Sequence, residues 1–290
     1  MIIARITSGL GNQLFQYAFA RSLSLRRREP LYVDLSYYRQ AYATDTLRTF
    51  RLDAFHAPYA VLHTSPYQYV SKFTRLLPGR TLKPLFQFVP ERQFHYDPGA
   101  TSAHARVLTL SGFWQSERYF ADCADVLRRE LTVKRALSPS AEPFAWAIEA
   151  TQTPVSVHIR RGDYVSHPEF SRAFGFVGLD YYRAALATLT ARLTNPTLFI
   201  FSDDPAWTEQ HLKPDVPHVY VRTAGSDADL DDLQLMSRCH HHVIANSSFS
   251  WWGAWLNPQP DKLVLAPDRW FADKPDCDTT DLIPATWHRL

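Results

Sequence analysis

The chemistry in this chain is concentrated in Val155-Ser156-Val157-His158-Ile159-Arg160-Arg161-Gly162-Asp163. Side chains alternate between faces along a strand, so Val155, Val157 and Ile159 point one way and Ser156, His158 and Arg160 the other. The strand breaks at Arg161-Gly162-Asp163, where glycine admits a tight turn closed to other residues. In an open α/β sheet, ligands bind outside the carboxyl ends of strands. Two adjacent guanidiniums at such an end call for an anion between them, and the planar, multi-donor arginine suits a phosphate. The plainer alternative is an arginine pair bridged to surface carboxylates.

Three further segments carry polar groups at the ends of apolar runs. Gly9-Leu10-Gly11-Asn12-Gln13-Leu14 follows a strand and opens a helix, with Asp34 ending the next strand about 20 residues on, the spacing of a dinucleotide-binding fingerprint. Leu14 stands where that fingerprint has Gly or Ala, and Asn12 and Gln13 put amides at the helix mouth. A simple tight turn, or a helix start receiving an anionic or hydroxyl-rich ligand, also fits. Asn246-Ser247-Ser248-Phe249-Ser250 lies between a strand and a helix. An N-cap explains one of these polar residues but not four, and phosphate binding fits the rest. Ser202-Asp203-Asp204 ends a strand; adjacent aspartates suit hydrogen bonds to a ribose or a guanine edge better than the Asp-x-Asp of a metal-bridged diphosphate. His240-His241-His242 ends a helix and enters a strand, and reads as helix-end histidines favoured by the dipole rather than a metal cluster. Trp251, Trp252 and Trp255 read as core.

The elements that must position these residues alternate in type. Strands are expected at 2–7, 31–35, 107–110, 155–160, 198–201, 218–221, 243–245 and 263–266, with helices at 14–28, 119–131, 180–193 and 228–239. Strand–helix alternation demands parallel sheets covered on both faces. Residues 36–98, rich in aromatics and prolines, read as an insertion or part of a binding wall.

At 290 residues the chain has room for two ordinary domains. The net charge of +2 supplies no general attraction for polyanions, so nucleic acid is not expected as a partner. Arg26-Arg27-Arg28 reads as a solvated helix end. Three scattered cysteines make neither a disulfide framework nor a metal knuckle. The N-terminus enters a strand directly, with no signal-peptide pattern and no long apolar run, so the expectation is a cytoplasmic protein with no transmembrane segment, compatible with peripheral membrane association.

With these residues in view, the chain resembles the bacterial and animal α1,2-fucosyltransferases, inverting enzymes that move fucose from GDP-fucose to galactosides. The likeness lies in Gly9-Leu10-Gly11-Asn12-Gln13-Leu14-Phe15-Gln16-Tyr17-Ala18, His158-Ile159-Arg160-Arg161-Gly162-Asp163-Tyr164, Phe201-Ser202-Asp203-Asp204, and Met236-Ser237-Arg238-Cys239 through Asn246-Ser247-Ser248-Phe249-Ser250-Trp251-Trp252-Gly253. The blocks occur in family order; residues 36–137, where acceptor choice is expected, carry little of the resemblance.

The resemblance implies an α/β, GT-B-like fold: two facing Rossmann-type domains with parallel sheets and a cleft between them. Residues 1–150 would form the acceptor side and 151–290 the GDP-fucose-binding side. It implies fucosyl transfer to the 2-hydroxyl of a galactose-terminated oligosaccharide, with no metal or other cofactor. His158 would lie near the nucleotide, Arg160 would grip the diphosphate and Asp203 would contact the guanine. Ser247 and Ser248 would sit near the pyrophosphate, with Gly11, Asn246 and Phe249 completing the donor site. Asn12 would be a cleft residue. Arg160, Asp163 and Asn12 are the expected catalytic residues, and Asp163, His167 and Glu169 all stand as bases. The competing readings are a nicotinamide-dependent oxidoreductase using Gly9 to Asp34 and a non-catalytic sugar-binding module.

Overall fold

Short apolar runs that alternate with helical ones can bury both faces only as a parallel sheet covered by helices. The computed structural model, which describes residues 1–39, 48–62, 84–274 and 277–290, does this twice. One unit comprises Met1–Lys134 and Asp278–Leu282, the other Arg135–Cys277 and Ile283–Leu290.

The first unit holds β1 (Ile2–Arg5), β2 (Leu31–Asp34), β3 (Ala60–Leu62), β4 (Phe86–Pro90) and β5 (Val107–Ser111). Their order is β3-β2-β1-β5-β4, every pair parallel. The chain runs outward from β1 on one side and returns on the other, so the order reverses between β1 and β5. A helix, Leu10–Arg27, follows β1 and buries Leu14, Phe15, Phe19 and Leu23. It starts four residues before the expected Leu14, because the carbonyl of Gly9 accepts the N–H groups of Asn12 (3.0 Å) and Gln13 (3.1 Å) and closes the first turn there. At its other end Arg26 and Arg28 are exposed, as expected of a solvated helix end, while Arg27 is half-buried. Arg26 pairs with Asp122 at 2.7 Å, and Arg27 donates to the carbonyls of Ala103 and Ala105. The single helix expected at 119–131 is broken into short turns and a helix at Ala124–Glu130, since Phe120 leaves the helical region at φ −143°. Of the segment 36–98 read as an insertion or binding wall, residues 40–47 and 63–83 lie outside the described residues.

The second unit holds β6 (Pro154–Ile159), β7 (Thr197–Ser202), β8 (His218–Tyr220), β9 (His241–Val243), β10 (Val264–Ala266) and β11 (His288–Arg289). The order is β11-β10-β9-β6-β7-β8, again all parallel. Here the order reverses between β6 and β9. Every residue of β6 is buried, as expected of a central parallel strand. On one face Val155, Val157 and Ile159 pack with Tyr182, Ala185 and Leu189 of the helix Leu179–Arg192. On the other, Phe199 and Phe201 meet Ala145 and Ile148 of the helix Glu142–Glu149. That packing draws residues 135–150 into the second unit, so the division falls after Lys134 rather than after residue 150.

The histidine triplet does not cap a helix. The helix Ala228–Arg238 ends before it, and His241 and His242 enter β9. His242 is wholly buried, its Nδ1 2.8 Å from Ser156 Oγ and its Nε2 2.9 Å from Asn257 Nδ2. An amide nitrogen only donates, so Nε2 accepts and Nδ1 carries the proton. Burial, then the nearby Lys262, holds this imidazole well below its ordinary pKa, hence neutral. Among the described residues no helix is long and apolar enough to cross a membrane.

Candidate active site

Parallel pairing sets Ile159 opposite Ser202, so the next residues along β6 and β7, Arg160 and Asp203, meet beyond the sheet edge. The Arg160 guanidinium lies 2.8 Å from Asp203 Oδ2 and 2.6 Å from Asp163 Oδ1. Asp203 Oδ1 also accepts the backbone N–H groups of Arg161 (2.8 Å) and Gly162 (3.2 Å). Gly162 is therefore required for a reason other than the turn. Its φ is not left-handed, but a Cβ there would lie 2.6 Å from Asp203 Oδ2. Arg161 pairs with Asp204 at 2.5 Å and lies over the Trp207 ring, 4.3 Å from its centroid. The arginine pair is thus bridged to carboxylates, though in a half-buried cluster whose side chains are only 15–28% exposed. Burial by itself would lower the Arg160 pKa; Asp203 and Asp163 outweigh it and hold the group above its ordinary value. Its charge is fixed.

His158 stands two residues back on the same face of β6, 5% exposed, its ring centroid 5.6 Å from that of Phe249. Its Nδ1 is buried without a hydrogen-bond partner. Burial, then the Arg160 charge, brings its pKa down to about 3, so the ring is neutral near pH 7.

Beyond β9 the chain turns through Asn246 and Ser247 into the helix Ser248–Leu256. Ser247 Oγ accepts the Phe249 N–H at 3.3 Å and caps that helix. Asn246 Nδ2 donates to the carbonyls of Phe174, Gly175 and Trp270 at 3.1–3.2 Å, while its Oδ1 is buried and unpartnered. The Asn246 carbonyl accepts the Tyr164 hydroxyl at 3.2 Å, and the Arg160 guanidinium lies 5.3 Å from the Tyr164 ring centroid. Tyr164 thereby ties the loop after β6 to the loop after β9. His158, Arg160, Asp163 and Asp203 gather with Asn246, Ser247, Ser248 and Phe249 at the carboxyl ends of the strands where the sheet order reverses, the usual ligand crevice of such sheets. Of the other acid–base groups weighed, His167 starts the short helix Pro168–Ala173 with its ring 4.8 Å from Phe170, and Glu169 is exposed.

The first unit has its own crevice at the β1–β5 reversal. Gly11 is buried in the first helical turn; Asn12 is half-buried and its Oδ1 accepts Gln115 Nε2 at 2.7 Å, a residue just past β5. Sequence reasoning passed over Gln115; its only signal was a polar residue among aromatics after a strand. Gln13 turns inward instead, holding the carbonyls of Ser8 and Thr49 and the N–H of Arg51. Asp34, the residue at the fingerprint spacing, is 1% exposed and accepts the Ser36 N–H. A second residue not foreseen is Asp232. It is half-buried, accepts the Thr223 hydroxyl at 2.8 Å, and has its carboxyl pushed up to about 7 by burial and the neighbouring aspartates.

The sequence profile of glycosyl transferase family 11 matches residues 103–288. An alpha-1,2-colitosyltransferase of Escherichia coli is 32% identical over 304 aligned positions that span 100% of this chain and 99% of that protein. The human galactoside alpha-(1,2)-fucosyltransferase 1 is 29% identical over 158 residues, 51% of this chain and 43% of that one. Among solved structures, a NodZ alpha-1,6-fucosyltransferase soaked with GDP-fucose superposes with a TM-score of 0.51 at 18% identity, covering 89% of this chain and 92% of its own. That likeness concerns the fold, the paired parallel α/β sheets of GT-B glycosyltransferases.

Proposed function

The chain belongs to glycosyl transferase family 11, and on that premise we propose that it moves L-fucose from GDP-fucose to the 2-hydroxyl of a terminal galactoside, with inversion and without a metal ion. The observation that carries the reading is Arg160: a permanently charged, half-buried guanidinium at the reversal point of the second sheet, aimed by two carboxylates. Two of its N–H groups face Asp163 and Asp203, which leaves others for a diphosphate oxygen.

As the bond from the anomeric carbon to GDP breaks, positive charge grows on the sugar ring and negative charge on the leaving diphosphate. A fixed cation at those oxygens stabilises the transition state more than the ground state, which is the condition for acceleration. Arg160 supplies that cation. Asp203 and Asp204, the acids a divalent ion would need, are already paired with Arg160 and Arg161, which supports a metal-free reaction. The neutral His158 packs against Phe249 behind this strand end, and the capped start of the helix at Ser247 and Ser248 offers hydrogen bonds to the nucleotide. Asp163, the carboxylate 2.6 Å from Arg160, is the base in this reading; an amide such as that of Asn12 can orient a hydroxyl but cannot take its proton. Family membership removes the nicotinamide reading of Gly9 to Asp34.

Incubation with GDP-fucose and lactose, followed by linkage analysis of the product, tests this. An α1,2-fucosylated product with release of GDP is expected. Colitosyl transfer is the second reading, favoured by the end-to-end match with the Escherichia coli enzyme. Parallel assays with a colitosyl donor separate the two: turnover with that donor and none with GDP-fucose would replace the sugar in the proposal.

A further inference from the structure

The first unit carries strain where its sheet order reverses. After β1, Ser8 sits at φ +63°, and after β5, Trp114 sits at φ +57°. Neither is glycine, and a bulky residue in the left-handed region persists only where its surroundings impose it. The imposition at Trp114 is visible. Its ring is 1% exposed and packs 4.8 Å from Phe19 and 5.5 Å from Tyr119, centroid to centroid. Glu91, half-buried just past β4, accepts the N–H groups of Phe113 (2.7 Å) and Trp114 (2.8 Å) on its two carboxylate oxygens. Gly112 allows that approach, since a Cβ there would lie 2.3 Å from the Glu91 Cβ. The turn is locked from both sides.

What this lock presents outward is Phe113, 38% exposed although both its neighbours on the C-terminal side are buried. Two residues further on, Gln115 is joined to Asn12 at the start of the first helix, its Nε2 donating to Asn12 Oδ1. Among the described residues no hydrogen bond reaches the Asn12 amide nitrogen or the Gln115 carbonyl oxygen. One donor and one acceptor are thus left on a joined amide pair, whose Gln115 follows closely in the chain after an exposed aromatic residue with its backbone N–H held by Glu91. That is the chemistry of a pyranose: an apolar C–H face to lie on a ring, and neighbouring hydroxyls to give and receive one hydrogen bond each.

We propose that Phe113, with the Asn12–Gln115 pair, forms the subsite that receives the acceptor sugar, and that Glu91 is a positioning residue that sets the Phe113 ring. The identity of the sugar as a galactoside rests on the function proposed above; the pyranose-binding subsite does not. A galactopyranoside suits the ring because its axial 4-hydroxyl leaves the C3, C4 and C5 hydrogens together on one face.

The test is saturation-transfer NMR on the whole protein with methyl hexopyranosides (galactoside, glucoside, mannoside), for wild type, Phe113→Ala, Phe113→Tyr and Glu91→Gln, with melting temperatures as the fold control. The expected result is binding of the galactoside through H3, H4 and H5, weakened about tenfold by Phe113→Ala and kept by Phe113→Tyr. In transfer assays, Glu91→Gln raises the acceptor KM severalfold with a smaller change in kcat. If a different hexopyranoside binds in a Phe113-dependent way, the subsite stands and the galactoside falls. If no pyranoside responds to Phe113→Ala, the subsite is overturned, whatever the transfer assays show.

Discussion

Asp203 touches Arg160 at 2.8 Å with one carboxylate oxygen and the Arg161 backbone N–H at 2.8 Å with the other. One side chain at the end of β7 thus fixes both the charge and the backbone at the end of β6. A phosphate-gripping guanidinium is useful only if it is already in place, because reorganising it at the moment of reaction would consume the stabilisation it provides.

Replacing that guanidinium removes the only cation the mechanism uses. Arg160→Ala is expected to lower kcat by on the order of 10²-fold or more. Arg160→Lys should recover only part of this, because an ammonium cannot face two carboxylates and a phosphate with the same planar fork. Steady-state kinetics on variants of unchanged melting temperature check the point; near-normal turnover in the alanine variant would refute the role.

Gly162→Ala should act on the same clamp without touching a charge. The added methyl meets Asp203 Oδ2 at 2.6 Å, so the carboxylate must move off the Arg161 and Gly162 N–H groups. A destabilisation of about 1–3 kcal/mol is expected, with loss of activity exceeding that of an alanine placed at exposed Ser166. Equal stability and equal rates would show that the close approach has no consequence.

Two groups pull the pH dependence of stability in opposite directions over the same range. His158 has a folded pKa near 3 against an ordinary 6.5, so the unfolded chain takes up its proton first and stability falls as pH drops from about 6.5 towards 3. Asp232 is raised from 3.8 to about 7, so the folded chain keeps its proton longer, and that contribution is lost as pH rises from 3.8 to about 7. The two slopes largely cancel where the windows overlap, so each shows when the other is removed. In urea titrations across this range, His158→Gln should leave stability falling as pH rises, by roughly 1 kcal/mol per pH unit, and Asp232→Asn should leave it rising with pH by a similar amount. A variant whose pH profile matches that of the wild type would remove that residue from the account.

Chelation gives an independent check on the chemistry. With the acids after β7 already occupied by arginines, millimolar EDTA should leave the rate within experimental scatter and added magnesium should not raise it. A chelator-sensitive rate restored by a divalent cation would require a different account of the leaving group.

The strand bearing His158 and Arg160 could be read directly, because an unbroken apolar run ending in charge has few other solutions than a central parallel strand. So could the helix start at Ser247 and the buried tryptophans Trp251 and Trp252, since capping and burial depend on residue type and local spacing. The chain's own order of residues also contained the family likeness. What it did not contain was partnership across the sheets. Asp203 and Gly162 are neighbours because β6 and β7 pair in one register, and His242 is a buried hydrogen-bonding residue because β9 pairs with β6 opposite Ser156. Likewise Gln115 meets Asn12 only because β5 lies beside β1. Local pattern fixes which face a side chain takes; which residues from distant segments share that face is decided by strand order and register, and these follow from burying the whole chain at once.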